Sequence, residues 1–197
     1  APSPQPLAAL SMALSMVGAI AGRKYRTPGN IYTNLYTICL LNSGAGKDAA
    51  RGVVNKLAGQ LPALDQIFCG SGLASASALS EALGKSPSLL LTIDEVSDFI
   101  RENIGSNVSP HKIGIAALIK SVFSDSGSRY KGQIYATKGR DAISTYNPCV
   151  CISGVGTPYH FWRNFSADSL DDGFLGRFLI FEPEVQYPDK QRVQFTP

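Results

Sequence analysis

A chain of 197 residues with 44% hydrophobic and 17% charged side chains can bury one substantial core, and this composition excludes a disordered, collagenous or disulfide-built protein. A formal charge of +3 excludes a uniformly basic nucleic-acid binder, so any basic surface has to be local. The four cysteines (Cys39, Cys69, Cys149, Cys151) lie in or beside apolar runs without C-x-x-C spacing, which reads as buried free thiols in a reducing, cytoplasmic setting rather than disulfides or zinc ligands.

The first element is Leu7 to Ala21, an apolar, small-residue stretch that runs directly into Gly22-Arg-Lys-Tyr-Arg26. It is too short to span a bilayer and has no basic residues before it, so the expectation is a helix packed on the core, with no membrane partner. Thr27-Pro-Gly-Asn30 turns the chain into an apolar, β-branched run from Ile31 to Leu41. That run stops at Asn42-Ser43-Gly44-Ala45-Gly46-Lys47, and an Ala-rich segment with helical spacing, Asp48 to Gln60, follows.

Strand, glycine turn, lysine and helix form the layout of a phosphate-binding loop. Glycines let backbone N–H groups curl around an anion, the helix N-terminus adds its dipole, and Lys47 reaches the phosphates. Residues 42–48 are the expected nucleotide contacts. The match to G-x-x-x-x-G-K-[ST] is incomplete, because Leu41 stands for the first glycine and Asp48 for the magnesium-binding hydroxyl.

Gln66 to Gly70 is expected to be a short strand, Ser71-Gly72 to open a helix through Leu83, and Gly84 to Pro87 to break it. Leu89-Leu-Leu-Thr-Ile93 is a continuous apolar run, the mark of a parallel strand buried on both faces, and it ends in Asp94-Glu95. Two adjacent carboxylates there suit nucleotide hydrolysis: Asp94 as a Mg²⁺ ligand, joined by Asp48, and Glu95 as the base that deprotonates water. The competing reading is a solvated acidic pair that caps the next helix. ATP and Mg²⁺ are the expected substrate and cofactor.

Val96 to Asn103 and Ile113 to Phe123 read as helices. Residues 129–136 and 141–146 read as two strands around Thr137-Lys138-Gly139-Arg140, a hairpin whose basic residues are Arg129, Lys131, Lys138 and Arg140. Pro148 to Ser153 is a buried strand with Cys149 and Cys151 on one face, Pro158 to Asp172 looks helical, and Arg177 to Phe181 is a last strand. Alternating strands and helices imply an α/β domain. Its expected form is three-layered, with a central, mostly parallel five-stranded sheet and an inserted hairpin (129–146).

This order of motifs resembles the ATPase domain of phage- and plasmid-type primase-helicases, a branch of the AAA+ P-loop NTPases close to superfamily 3 helicases and MCM proteins. The residues that carry the likeness are Ser43 to Lys47, Leu91 to Val96, Asn147 to Pro158 and Gly173 to Phe181. The resemblance implies that Thr157 senses the γ-phosphate, although capping the helix at Pro158 is the plainer role. It implies that Arg177 is an arginine finger for a neighbouring subunit, against a local pairing with Asp171 or Asp172. It also implies a homo-oligomeric, hexameric ring with the hairpin facing single-stranded DNA in its pore. Such a motor domain works in a bacterial or virus-infected cell, and the missing initiator Met leads us to expect an excised domain, with primase or other replication domains in the same chain. Two further readings are open: an AAA+ remodeller of protein, and a degenerate P-loop module that binds without turnover.

Overall fold

The computed structural model describes residues 5–70, 72–73, 75–103, 110–132, 143–164 and 173–184. Its centre is a four-stranded, all-parallel sheet of β1 (Tyr36–Leu40), β2 (Ser88–Ile93), β5 (Cys149–Gly156) and β6 (Phe178–Phe181), in the order β2-β5-β1-β6. The two longest strands lie next to each other, and every residue of β5 is buried. Continuous burial is why these strands read as apolar runs and not as alternating ones.

The expected fifth strand shrinks to an edge. Residues 66–70 make one parallel bridge, Phe68 to Leu90, supported by amide bonds from Cys69 to Leu90, from Leu90 to Ile67 and from Thr92 to Gly70. A short helix, α3 (Pro62–Asp65), draws the chain away just before it, so the pairing never lengthens into a strand.

Side chains leave the strands alternately to two helical layers. On one face Tyr36, Ile38, Leu40, Leu89, Leu91, Val150 and Ile152 pack with α4 (Ala76–Lys85), α5 (Val96–Asn103) and α6 (Pro110–Ser124). On the other face Cys39, Leu41, Leu90, Cys149 and Cys151 pack with α1 (Pro6–Ala21) and α2 (Asp48–Gln60). All four cysteines are free thiols. The helix expected from Ser71 starts later, at Ala76, because Ser75 caps it by accepting the Ala78 amide at 3.1 Å.

The small residues of α1 face the sheet. Ser15 donates to the Ile152 carbonyl at 2.8 Å, and a Cβ on Gly18 would meet the Thr33 carbonyl oxygen at 2.6 Å. Only a glycine lets the helix and chain approach so closely. The expectation that this segment is too short for a bilayer does not hold: the helix continues through Lys24 and by length and composition is long and apolar enough to cross a membrane, while one face of it is packed on the sheet.

The hairpin is a separate antiparallel pair, β3 (Arg129–Lys131) and β4 (Ser144–Tyr146), shorter than expected over the described residues. Its base rests on α4, where the Thr145 hydroxyl donates to the Leu83 carbonyl, and the Gly132 amide extends the pair by donating to the Ile143 carbonyl. The helix expected from Pro158 to Asp172 is described as α7 (Pro158–Arg163); residues 165–172 lie outside the described set.

Candidate active site

In a parallel sheet the loops at the carboxyl ends of the strands share one edge, the usual place for a ligand. Three such ends meet here. Asn42 to Lys47 follow β1, Asp94 and Glu95 follow β2, and Thr157 follows β5, the strand between them. The register aligns them: Leu40 lies opposite Gly156, the Leu41 amide bonds to the Gly156 carbonyl at 2.9 Å, and Ile93 lies opposite Gly154.

The glycine loop adopts left-handed backbone at Gly44 (φ 78°) and Gly46 (φ 90°), conformations that side chains resist. A Cβ on Gly44 would meet nothing within 4 Å, so the loop borders open space on that side. Its other side is anchored. Ala45 is buried against Ala8 and Leu41, and the Gln5 amide at the start of α1 donates to the Ala45 carbonyl at 2.7 Å. The N-terminal helix thus holds the loop as well as the sheet, a role its sequence pattern does not announce.

Lys47 and Glu95 form an ion pair across the cleft. Glu95 reaches back because its backbone is left-handed (φ 51°), uncommon for a residue with a side chain. Its carbonyl accepts the Asp98 and Phe99 amides, which starts α5 directly. Its carboxylate faces Lys47. Two glycines make the turn fit: a Cβ on Gly154 would meet Val96 Cγ2 at 3.1 Å, and one on Gly156 would meet Val96 Cγ1 at 2.8 Å.

A second ion pair joins the same elements. Arg51 Nη1 lies 2.7 Å from Asp94 Oδ2, and its Nη2 lies 3.3 Å from Asp48 Oδ1. Sequence reasoning passed over Arg51. The available signal was its position one helical turn beyond Asp48, where i,i+3 side chains meet. Asp48 opens the first turn of α2, with its side chain 70% exposed.

Four buried oxygens in and around the cleft have no hydrogen-bond partner among the described residues: Asp94 Oδ1, Ser97 Oγ, Asn103 Oδ1 and Thr157 Oγ1. An unpaired buried polar atom costs about 1–3 kcal/mol, so each needs a reason to persist. Thr157 sits at the N-cap of α7 but makes no capping bond. The residue types present, a glycine loop with Lys47 on one side and the Asp94 and Asp48 carboxylates on the other, are compatible in charge with a metal-bound polyphosphate. A cleft of about 220 Å³ opens beside the carboxylates, lined by Leu73, Asp98, Phe99 and Asn103 among others. A larger, apolar cavity of about 520 Å³ lies near the start of β2, at the far end of the sheet, and takes no part in this site.

Other expected residues lie apart. Arg177 stands at the entry end of β6, where Phe178 pairs with Tyr36, roughly 16 Å of strand away from the loop that follows β1. Its guanidinium donates to the Gly173 carbonyl and to Ser124 Oγ at 3.4 Å and lies over the Phe123 ring. It cannot serve the loop of its own chain. Asp171 and Asp172, its alternative partners, lie outside the described residues. Arg129 and Lys131 are exposed on the hairpin base, with Arg129 over the Tyr146 ring at 5.0 Å. Lys138 and Arg140 at the expected tip lie outside the described residues. Phe161 is buried in the core, and the Trp162 indole donates to Glu182 at 3.1 Å.

No protein-family model matches this chain, and no curated protein matches its sequence.

Proposed function

We propose that this domain is an ATP-hydrolysing motor of the P-loop type, an AAA+ relative of the primase-helicases that acts on single-stranded DNA as part of a ring. The observation that carries the ATP reading is the meeting of glycine loop, adjacent carboxylates and an unpaired threonine hydroxyl at one sheet edge. The DNA and ring readings rest on the basic hairpin and on the order of motifs in the sequence.

Lys47 binds the β- and γ-phosphates, and in doing so exchanges Glu95 for a phosphate oxygen as its partner. Glu95, freed of the ammonium, orients a water and takes its proton as the water attacks. The Thr157 hydroxyl donates a hydrogen bond to the γ-phosphate and so distinguishes triphosphate from diphosphate. Asp94, through Oδ1, and Asp48 would hold Mg²⁺, which when bound neutralises phosphate charge. Arg177 acts on the site of another copy.

The direct test is ATP turnover with and without single-stranded DNA, in the parent and in Lys138→Ala, Arg140→Ala. Stimulation by DNA that the double variant loses, with basal turnover intact, supports the motor; the salt slope of DNA binding should flatten by about 0.7 for each basic group removed. Turnover without any DNA response points to a protein remodeller. One observation favours a module that binds without turnover: Asp48 stands where a hydroxyl belongs and is engaged by Arg51. Nucleotide binding with no hydrolysis would select that reading.

A further inference from the structure

We infer that Arg51 is a charge-balancing and positioning residue for the metal end of this site, the group that allows an aspartate to stand at position 48. The inference rests on the phosphate-loop reading above and deepens it.

An aspartate after Lys47 places a full negative charge beside phosphates that are themselves anionic. Such a loop should bind nucleotide poorly unless the charge is offset. Arg51 is placed to do this. One guanidinium spans carboxylates from two elements, Asp48 on α2 at 3.3 Å and Asp94 after β2 at 2.7 Å. Two carboxylates and one guanidinium carry a net charge of −1. A hydroxyl at position 48 with a lone Asp94 would carry the same charge.

Arg51 also orients Asp94. It takes Oδ2 and leaves Oδ1 buried without a partner. The forked, planar guanidinium suits this bridging, which a lysine ammonium would perform as a point charge. The contrast with a decorative pair is visible on α5. There Asp98 and Arg101 are also three residues apart, but both side chains are more than half exposed and contact nothing else by charge that the structure records. Arg51 is 24% exposed and joins two elements.

The test is a cycle of four proteins: the parent, Arg51→Ala, Asp48→Ser and the double variant. Two quantities are measured on each, Mn²⁺ affinity by electron paramagnetic resonance without nucleotide, and the affinity of a fluorescent ATP analogue with Mg²⁺. Arg51→Ala alone should tighten Mn²⁺ and weaken nucleotide, each by roughly tenfold, the scale of one unit charge near a solvent-accessible site. Adding Asp48→Ser should return both values to within about twofold of the parent. Arg51→Lys should fall between parent and Arg51→Ala. A double variant that stays at the Arg51→Ala values, or an Arg51→Ala protein unchanged in both affinities, would overturn the inference. A parent that binds no nucleotide removes the phosphate-loop reading instead; the Mn²⁺ arm then decides on Arg51 by itself, and an absent Mn²⁺ response removes both. Circular dichroism and melting of each variant separate these outcomes from loss of fold.

Discussion

Lys47 and Glu95 are ion-paired across the cleft between the glycine loop and the end of β2. In the proposed ATPase reading the ammonium turns to phosphate and the carboxylate to water. Breaking the pair from either side should have different consequences. Lys47→Ala should weaken nucleotide binding at least tenfold, because the phosphates lose a cation. Glu95→Gln should bind nucleotide at least as well as the parent, since Lys47 no longer has a charged competitor, while hydrolysis falls by about 10²–10⁴. Equilibrium binding and single-turnover hydrolysis, run side by side, check both. Parent-level hydrolysis by Glu95→Gln would remove the base assignment.

Thr157→Val swaps the buried, unpaired hydroxyl for a methyl of similar size. A hydroxyl kept only for structure should be missed by the fold. An unpaired one should not, so the variant should melt at or above the parent temperature. Turnover should nevertheless drop by about tenfold or more if the hydroxyl meets phosphate. A variant that melts lower and turns over normally would assign Thr157 to the fold alone.

Gly156→Ala places a methyl 2.8 Å from Val96 Cγ1 and 3.2 Å from Ser97 Oγ, at the first residues of the helix that Glu95 opens. Overpacking of this kind costs about 1–3 kcal/mol, and relief requires the Asp94–Glu95 turn to move. Denaturant unfolding should show the loss, and turnover should fall with it. Gly52→Ala is the matched control: it sits inside α2, its Cβ would meet nothing within 4 Å, and it should stabilise by up to about 1 kcal/mol. Equal effects of the two substitutions would contradict the packing argument.

Burial under α1 and the loop pushes the Cys39 thiol up from 9.0 to about 11. Below pH 9 the thiol is protonated in folded and unfolded chains alike and adds no pH dependence. Between about 9 and 11 the unfolded chain releases a proton that the folded chain keeps, so stability falls as pH rises. Cys39→Ala should flatten that fall by up to about 1.4 kcal/mol per pH unit. Unfolding curves at several pH values in this window provide the comparison. Parallel declines in parent and variant would show that Cys39 ionises as freely folded as unfolded.

Several features were legible in the residues alone because they depend on local order. Continuous apolar runs at Tyr36–Leu40, Leu89–Ile93 and Val150–Ile152 require strands covered on both faces, and the helices between them require parallel connections. Gly44 and Gly46 before Lys47 mark a turn that only glycine makes easily. Strand order was not legible, since nothing local says that β5 inserts between β1 and β2 and so brings Thr157 between loop and carboxylates. The same holds for the left-handed turn at Glu95 and for the reach of Arg51 to Asp94. These contacts join residues distant in sequence, and their geometry exists only once the strands are in register. The chain's own pattern thus determined the elements, while long-range packing decided which side chains meet.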